Sequence, residues 1–145
     1  MKKILFSLSF VLAATFATST AIAQDGAKVE FKKDVHDYGT IKNGADGNCT
    51  FEFKNTGNAP LIISNCQGSC GCTVPDWPKE PILPGKSAEI KVKYDTTRQG
   101  AINKSVTITS NAVNEPTKVI QIKGEVGAKP ESGAPVIKAG APVNN

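Results

Sequence analysis

Alternation of apolar and polar side chains at every second position is the feature that most restricts how this chain can fold. Four runs between Lys28 and Val126 have this pattern, and their apolar members are Cys49, Phe51 and Phe53, then Ala88, Ile90, Val92 and Tyr94, then Val106 and Ile108, and finally Ile120, Ile122 and Val126. A period of two places the apolar members on one face of an extended strand, so each run is predicted to be a half-buried β-strand. Lys104 lies at an inward position of the third run, which predicts a bulge or a strand end there.

Turn-forming residues separate these runs, and no segment has the capped apolar period of an amphipathic helix. Clusters of Gly, Asn and Pro occur at Lys42–Gly44, Asn55–Asn58, Pro84–Gly85 and Gln99–Gly100. About seven short strands joined by such turns in about 100 residues predict an all-β chain, an antiparallel sandwich of immunoglobulin type. A small closed barrel is the alternative, because strand number and period do not distinguish it from a sandwich.

Residues 1–23 have the organisation of a signal peptide. A basic start is followed by an apolar run and then by an Ala-Ile-Ala cleavage site that ends at Ala23. Cleavage is therefore predicted between Ala23 and Gln24. Serine and threonine interrupt the run, so it lacks the ~20 continuous apolar residues of a membrane-spanning helix. We expect an exported protein with no membrane span after processing, located in the periplasm or outside the cell, where disulfides form.

The rest of the chain divides into one domain and a tail. Residues 24–126 are expected to form the immunoglobulin-like β-sandwich domain, and residues 127–145, rich in Pro, Ala and Gly, a flexible tail. A short partner-binding strand at Pro135–Ile137 is the alternative for the tail. The formal charge of +4 falls when Lys2 and Lys3 are removed, and no basic run interleaved with aromatic residues is present. Nucleic-acid binding is therefore not expected.

The segment Ser69–Thr73 has the sequence Ser-Cys-Gly-Cys-Thr. Three other parts of the chain belong with it to one family pattern, and they are Phe51–Leu61, Pro84–Gly85 and Gly124. Over most of residues 29–126 the chain resembles a bacterial family known as domain of unknown function 1573, which is frequent in exported proteins of the Bacteroidetes. The resemblance implies an immunoglobulin-like fold similar to that of the major-sperm-protein and cilia-associated groups, and it implies no activity. Only Cys70 and Cys72 belong to the family motif.

The four cysteines allow three pairings if all of them form disulfides, which the even number and the predicted export favour. Cys49 and Cys66 lie at equal distances on either side of a predicted turn, so antiparallel flanking strands would bring them together. Cys70 and Cys72 then form the second disulfide. In an extended strand their Cα atoms would be ~6.6–6.8 Å apart, so this pair needs a tight turn at the intervening glycine.

Three other uses of the cysteines remain open. A strained Cys70–Cys72 disulfide would be easily reduced, which favours thiol–disulfide exchange. Thiolates of Cys70 and Cys72, with Cys66 as a third ligand, would suit a soft ion such as Cu(I), whereas the spacing does not suit zinc. A cysteine nucleophile of a hydrolase would need a base, and His36 is the one histidine of the sequence. A strand or surface position is the simpler interpretation of that residue.

We predict a non-catalytic, exported immunoglobulin-like module with a structural or interaction role and no cofactor, whose partner is an unidentified envelope protein. Its edge strands would accept a strand of the partner, and the cysteine-rich loop Asn65–Pro84 would carry specificity. Within that loop, Trp77 is expected to contact the edge of the core rather than to stack on a ligand. The alternative function is a thiol protein that uses Cys70 and Cys72 for disulfide exchange or copper handling.

Overall fold

Eight strands are present in residues 25–130, the part of the chain that this computed structural model describes. Their bounds are β1 Val29–Phe31, β2 Val35–Ile41, β3 Asn48–Asn55, β4 Ile63–Gly68, β5 Thr73–Asp76, β6 Ser87–Tyr94, β7 Gly100–Ser110 and β8 Thr117–Val126. The predicted signal peptide, with its cleavage site at Ala23 and Gln24, lies outside the described residues, and so does the predicted tail from residue 131 onwards. Residues 25–130 contain no helix that is long and apolar enough to cross a membrane.

The strands form two four-stranded sheets, in the orders β1-β3-β6-β5 and β2-β8-β7-β4. Their inner faces share one apolar core, and its largest fully buried side chains include Phe51, Phe53, Leu61, Ile90, Ile108, Ile120 and Ile122. The prediction of an all-β sandwich is confirmed. The closed barrel is wrong, because each sheet ends in two separate edge strands. The short strand β5 has no alternating pattern and contains Pro75, which is why the sequence did not predict it.

One pair of strands is parallel, which corrects the expectation of a purely antiparallel fold. Strand β2 runs parallel to β8, with Val35 opposite Gln121. After β1 the chain crosses from the first sheet to the second through residues 32–34 and then lies beside the last strand. Parallel neighbours need such a crossover, and a period-two pattern contains no information about it.

Strand β7 continues through Lys104, so the predicted bulge or strand end is wrong. The register between β7 and β8 has no shift along their whole pairing, and Lys104 lies opposite Ile122. The Lys104 side chain is half-buried. A lysine can lay its aliphatic stem along apolar surface while its ammonium stays in water, so an inward position does not interrupt the strand.

The predicted Cys49–Cys66 disulfide is also wrong: β3 and β4 do not form the antiparallel pair on which the prediction rested, and both thiols are free. Strand β3 pairs with β1 and β6 in the first sheet, whereas β4 pairs with β7 in the second. The turn between them carries the chain across the sandwich instead of closing a hairpin. Cys49 and Cys66, both within the described residues, are buried free thiols.

Candidate functional site

The Ser-Cys-Gly-Cys-Thr motif forms the connection from β4 to β5, between an edge strand of one sheet and an edge strand of the other. Gly68 ends β4 so close to the backbone of Thr73 that a Cβ atom on Gly68 would collide with the Thr73 carbonyl oxygen. The Ser69 amide donates to the Ser105 carbonyl at 2.8 Å, and the Thr73 amide donates to the Cys70 carbonyl at 3.2 Å. The first bond ties the segment to β7, and the second closes a short turn within the segment itself.

A disulfide joins Cys70 and Cys72 across this turn, with their Cα atoms 5.2 Å apart. An extended chain would separate the two atoms by ~6.6–6.8 Å, so the turn brings the residues within bridging distance. Gly71 is exposed, and it is not one of the described glycines with positive φ. A Cβ atom at Gly71 would meet no atom within 4 Å. The glycine that this loop requires is therefore Gly68 rather than Gly71, which corrects the expectation from the sequence.

The two cysteines of the disulfide differ in exposure. Cys72 is buried, with 7% of its surface accessible, whereas Cys70 is half-buried at the margin of the core. The Thr73 hydroxyl oxygen lies 3.6 Å from Cys70 Sγ and 3.9 Å from Cys72 Sγ. A group that approaches from solvent therefore reaches Cys70 more readily than Cys72.

The turn between β6 and β7 forms the other wall of an open cleft beside the disulfide, and Asp95 and Arg98 line this cleft. The Asp95 amide donates to the Cys72 carbonyl at 2.9 Å, which ties the two turns together. The hydroxyl and the amide of Thr97 donate to the Asp95 carboxylate and lower its pKa. Arg98 is exposed and is the only arginine in the sequence. The cleft therefore combines a disulfide with two opposite charges, the guanidinium of Arg98 and the carboxylate of Asp95.

The free thiols are not placed for chemistry at neutral pH. Burial raises the pKa of Cys66 to about 12 and also raises the pKa of Cys49. Both thiols stay protonated, and a protonated thiol is neither a nucleophile nor a metal ligand. Residues 25–130 contain no group of three His, Cys, Asp or Glu side chains that could hold a metal ion. The alternative copper site of Cys66, Cys70 and Cys72 is therefore not assembled in this structure, in which the last two sulfurs are bonded to each other.

His36 lies on β2, at the opposite edge of its sheet from β4 and the cysteine loop. Its ring contacts the Tyr38 ring edge to face, at 4.5 Å between centroids, and Lys33 Nζ lies 3.2 Å from its Nδ1. Burial, followed by the positive charge of Lys33, lowers the pKa of His36. The Tyr38 hydroxyl donates to the Gly47 carbonyl at 2.7 Å. His36 is thus a strand residue, and it cannot serve as a base for Cys70 or Cys72.

Trp77 follows β5 directly, and its half-buried side chain contacts the core from the loop, at the position that the sequence analysis predicted. Lys79 Nζ lies 2.8 Å from the centroid of the indole ring. The ring face is therefore covered by a lysine of the same loop, which leaves that face unavailable to a stacked ligand. Among the buried side-chain nitrogen and oxygen atoms of residues 25–130, Trp77 Nε1 alone has no hydrogen-bond partner.

The four edge strands of the sandwich differ in how much of their backbone is protected. Asn114 covers β1, because its side-chain amide accepts from the Val29 amide at 3.0 Å and donates to the Val29 carbonyl at 2.8 Å. Strand β2 has a register shift between Asp37 and Thr40. Strand β5 contains Pro75. Bulges and prolines prevent a further strand from pairing, so these three edges are protected.

Strand β4 also has a register shift, between Ile63 and Asn65 at its start, but from Asn65 to Gly68 it pairs regularly with β7. Its sequence, Ile-Ser-Asn-Cys-Gln-Gly, contains no charged residue and no proline. Just before it, Leu61 and Ile82 exchange two backbone hydrogen bonds of 2.8 Å. Beyond that bridge, within residues 25–130, the side of β4 that faces away from β7 has no strand beside it.

Sequence reasoning missed Arg98 and Asn114. Both lie in connections between strands, Arg98 just before the predicted turn at Gln99–Gly100 and Asn114 between β7 and β8. The signal for Arg98 was that it is the only arginine in the chain. No local signal existed for Asn114, because its partner Val29 is 85 positions away in the sequence.

The family described as "Protein of unknown function (DUF1573)" matches residues 29–126. A protein of unknown function from Porphyromonas gingivalis W83 has a similar structure, with a TM-score of 0.63 and 20% identity over 75% of this chain and 51% of that chain. The ASH / PapD-like domain 7 of human CEP192 superposes with a TM-score of 0.60 and 11% identity, over 88% of this chain and 100% of that domain. The VesB protease of Vibrio cholerae gives a TM-score of 0.55 and 11% identity, over 70% of this chain and 32% of that one.

These similarities show the fold alone, since every one of the identities is low. The chain spans about half of the Porphyromonas gingivalis protein, at 51% of its length, and a smaller part of the protease, at 32%. No curated protein matches the chain significantly.

Proposed function

The chain belongs to the DUF1573 family, and from this premise we propose that it is an exported, non-catalytic module that binds an envelope protein by adding a strand of that protein to the free edge of β4. The observation that carries the proposal is the regular, uncharged edge segment Asn65–Gly68 of β4, which has no strand on its outer side within the described residues. An unpaired edge strand exposes a row of N–H and C=O groups that attract any extended chain. The other three edges carry Asn114, a register shift or a proline, whereas the segment Asn65–Gly68 of β4 pairs regularly with β7 and contains neither a charge nor a proline, so it is the edge segment best suited to accept a further strand.

The chemistry of the edge indicates what kind of segment it would accept. The exposed side chains of β4 include Asn65 and Gln67, which are uncharged, and Ile62 and Leu83 are exposed beside the Leu61–Ile82 bridge, at 44% and 56%. Strand addition derives affinity from main-chain hydrogen bonds and specificity from alternate side chains. We therefore expect an extended partner segment without charges, with an apolar residue near Ile62.

Export and the envelope location come from the signal-peptide pattern of residues 1–23. The binding surface needs no metal or cofactor, because the backbone of β4 supplies the interaction. The family match and the fold support the general statement that the protein is a β-sandwich module of the DUF1573 family.

Site-directed photo-crosslinking of the full-length chain, expressed in a bacterium that exports it, tests the proposal. A photoreactive residue at Ser64 reports on β4, and one at Gln121 reports on the central strand β8 of the same sheet; both positions are exposed. We expect a discrete adduct from Ser64 and none from Gln121, because an added strand would lie about 5 Å from β4.

A matched pair of charge variants identifies strand addition as the mode of binding. Gln67→Lys places a charge beside the free edge and should abolish the Ser64 adduct, whereas Gln121→Lys should leave it intact. Unchanged thermal melting of both variants shows that the fold is retained. Equal adducts at Ser64 and Gln121, an adduct that survives Gln67→Lys, or an adduct made only of a second copy of this chain would overturn the proposal.

A further inference from the structure

The function proposed above does not use the Cys70–Cys72 disulfide, although its surroundings are unusual for a purely structural bridge. A disulfide between residues this close in sequence closes almost no loop, so it restricts the unfolded chain very little. Two backbone hydrogen bonds also hold the turn against other segments, from the Ser69 amide to the Ser105 carbonyl and from the Asp95 amide to the Cys72 carbonyl. Stability alone therefore gives no reason for this bond.

The sulfur atoms are unequal in a way that suits an exchange reaction. Both cysteines line the open cleft, but Cys70 is half-buried whereas Cys72 is buried. The Cys72 carbonyl is held by the Asp95 amide at 2.9 Å, and the next residue belongs to β5. If the disulfide opens, Cys72 stays in place while Cys70 carries the bond to the incoming group.

Of the two charges in the cleft, Arg98 favours the same reaction, and the carboxylate of Asp95 acts against it. Arg98 is the only arginine of the chain and lines the cleft with the disulfide. The carboxylate of the neighbouring Asp95 is already engaged by two hydrogen bonds from Thr97. A nearby guanidinium stabilises a thiolate relative to a thiol, both for an approaching thiolate and for a departing one.

From this arrangement we propose that Cys70–Cys72 is a thiol–disulfide exchange site that oxidises dithiols. A substrate thiolate attacks Cys70 Sγ, a substrate–Cys70 disulfide forms, and the Cys70–Cys72 bond breaks with its electron pair leaving on Cys72 Sγ. The second substrate thiolate then attacks the substrate sulfur of the mixed disulfide and releases Cys70 as a thiolate. The substrate becomes a disulfide, and Cys70 and Cys72 gain two electrons and, after protonation, two protons.

The buried thiols supply an internal control. Cys49 and Cys66 are buried, with their pKa values raised by burial, so a reagent in solution should not modify them while the protein is folded. Any rapid reaction of the native protein with a thiol or disulfide reagent therefore reports on Cys70 or Cys72.

The first experiment treats the oxidised full-length protein with limiting glutathione and locates the mixed disulfide by peptide mass. We expect glutathione on Cys70 and none on Cys72. Dithiothreitol should reduce the Cys70–Cys72 disulfide in the folded protein, without any denaturant. A bond that is reduced only when the protein unfolds, or glutathione on Cys72, would overturn the proposal.

The second experiment compares single-cysteine variants with a chromogenic aromatic disulfide as the probe. Cys72→Ser leaves Cys70, and we expect it to react at least about tenfold faster than Cys70→Ser, which leaves the buried Cys72. Equal rates would contradict the proposed point of attack. Should either variant fail to fold, the glutathione mapping on the wild-type chain still decides the question.

Arg98 is tested as a positioning residue through the pH profile of that reaction. In the Cys72→Ser background, Arg98→Gln should move the midpoint of the rate profile to higher pH, because the Cys70 thiolate loses its cation. Arg98→Lys should restore most of the profile, and Lys86→Gln, a charge removal in the turn before β6, should not change it. If Arg98→Gln leaves the pH profile unchanged, Arg98 does not stabilise the Cys70 thiolate. These assays use small thiols, so their outcome is independent of binding at β4.

Discussion

His36, the only histidine of the sequence, couples the stability of the fold to pH. Burial first and the charge of Lys33 second lower its pKa below the ordinary value of 6.5, while Asp37 acts in the opposite direction. The folded state therefore takes up a proton on His36 less readily than the unfolded state does. The contribution of His36 to stability is fully present above the pKa that the histidine has in the unfolded chain. It is lost as the pH falls from that pKa toward the lower pKa of the folded state.

We expect the free energy of unfolding of the wild type to decrease between about pH 7.5 and pH 5.5, where histidine titrates and most carboxylates do not. His36→Gln should flatten this dependence, because the titrating group is gone. Urea unfolding at both pH values measures the effect. A variant with the same slope as the wild type would show that His36 is not the coupled group.

Asn55 is a buried polar residue whose side chain joins three parts of the fold. Its Nδ2 donates to the carbonyls of Ala59 and Ile82, both at 2.8 Å. Its Oδ1 accepts from the amides of Gly57 at 2.9 Å and Lys28 at 3.3 Å. Removal of the side-chain amide would leave these backbone groups without hydrogen-bond partners inside the protein, and each such group lowers the free energy of unfolding.

Asn55→Ala should therefore lower the free energy of unfolding by on the order of 3 kcal/mol. The control is Asn58→Ala in the same turn, since Asn58 is exposed and bonds only near the surface, to Gly26 and Asp25. Its effect should stay below about 1 kcal/mol. Urea midpoints compare the two, and similar losses would mean that burial of Asn55 does not decide its role.

At the scale of the elements, the pairing of β3 with β6 forms the centre of the first sheet. Phe51 lies opposite Ile90 in this register, and both are fully buried. Their neighbours Glu52 and Lys91 point to the solvent side. Glu52 makes an ion pair with Lys32 at 2.7 Å, but both partners are solvent-accessible and such pairs contribute little.

Phe51→Ala and Ile90→Ala should each lower the free energy of unfolding by ~2–5 kcal/mol, because each leaves a cavity in the core. Glu52→Ala and Lys91→Ala should stay within ~0.5 kcal/mol. Denaturant unfolding of the four variants measures the contrast. Outward substitutions that are as damaging as the inward ones would contradict the register.

At the scale of the whole molecule, processing decides where the mature chain begins. We predict that export removes residues 1–23 and leaves Gln24 as the new N-terminus, because the Ala-Ile-Ala site ends at Ala23. Intact mass of the protein from the envelope fraction measures this directly, with a cyclised Gln24 counted as agreement. A retained full-length chain would remove the basis for an exported, disulfide-permissive location.

The sequence by itself determined the features that depend on near neighbours. Alternation predicts which residues of β3, β6, β7 and β8 face inward, because successive side chains of a strand point to opposite faces. Turn residues predict where these strands end, and the Ser-Cys-Gly-Cys-Thr motif locates the loop that carries the disulfide. The sandwich itself follows from several short strands that each have one apolar face.

Only the tertiary structure decided which strands meet. It places β3 and β4 in different sheets and not in one hairpin, leaves Cys49 and Cys66 as free thiols, and sets β2 parallel to β8. It also places Arg98 in the cleft beside the disulfide and leaves the uncharged segment Asn65–Gly68 of β4 at a sheet edge. Strand order and register arise from contacts between residues far apart in the chain, and the same alternating pattern is compatible with many such arrangements.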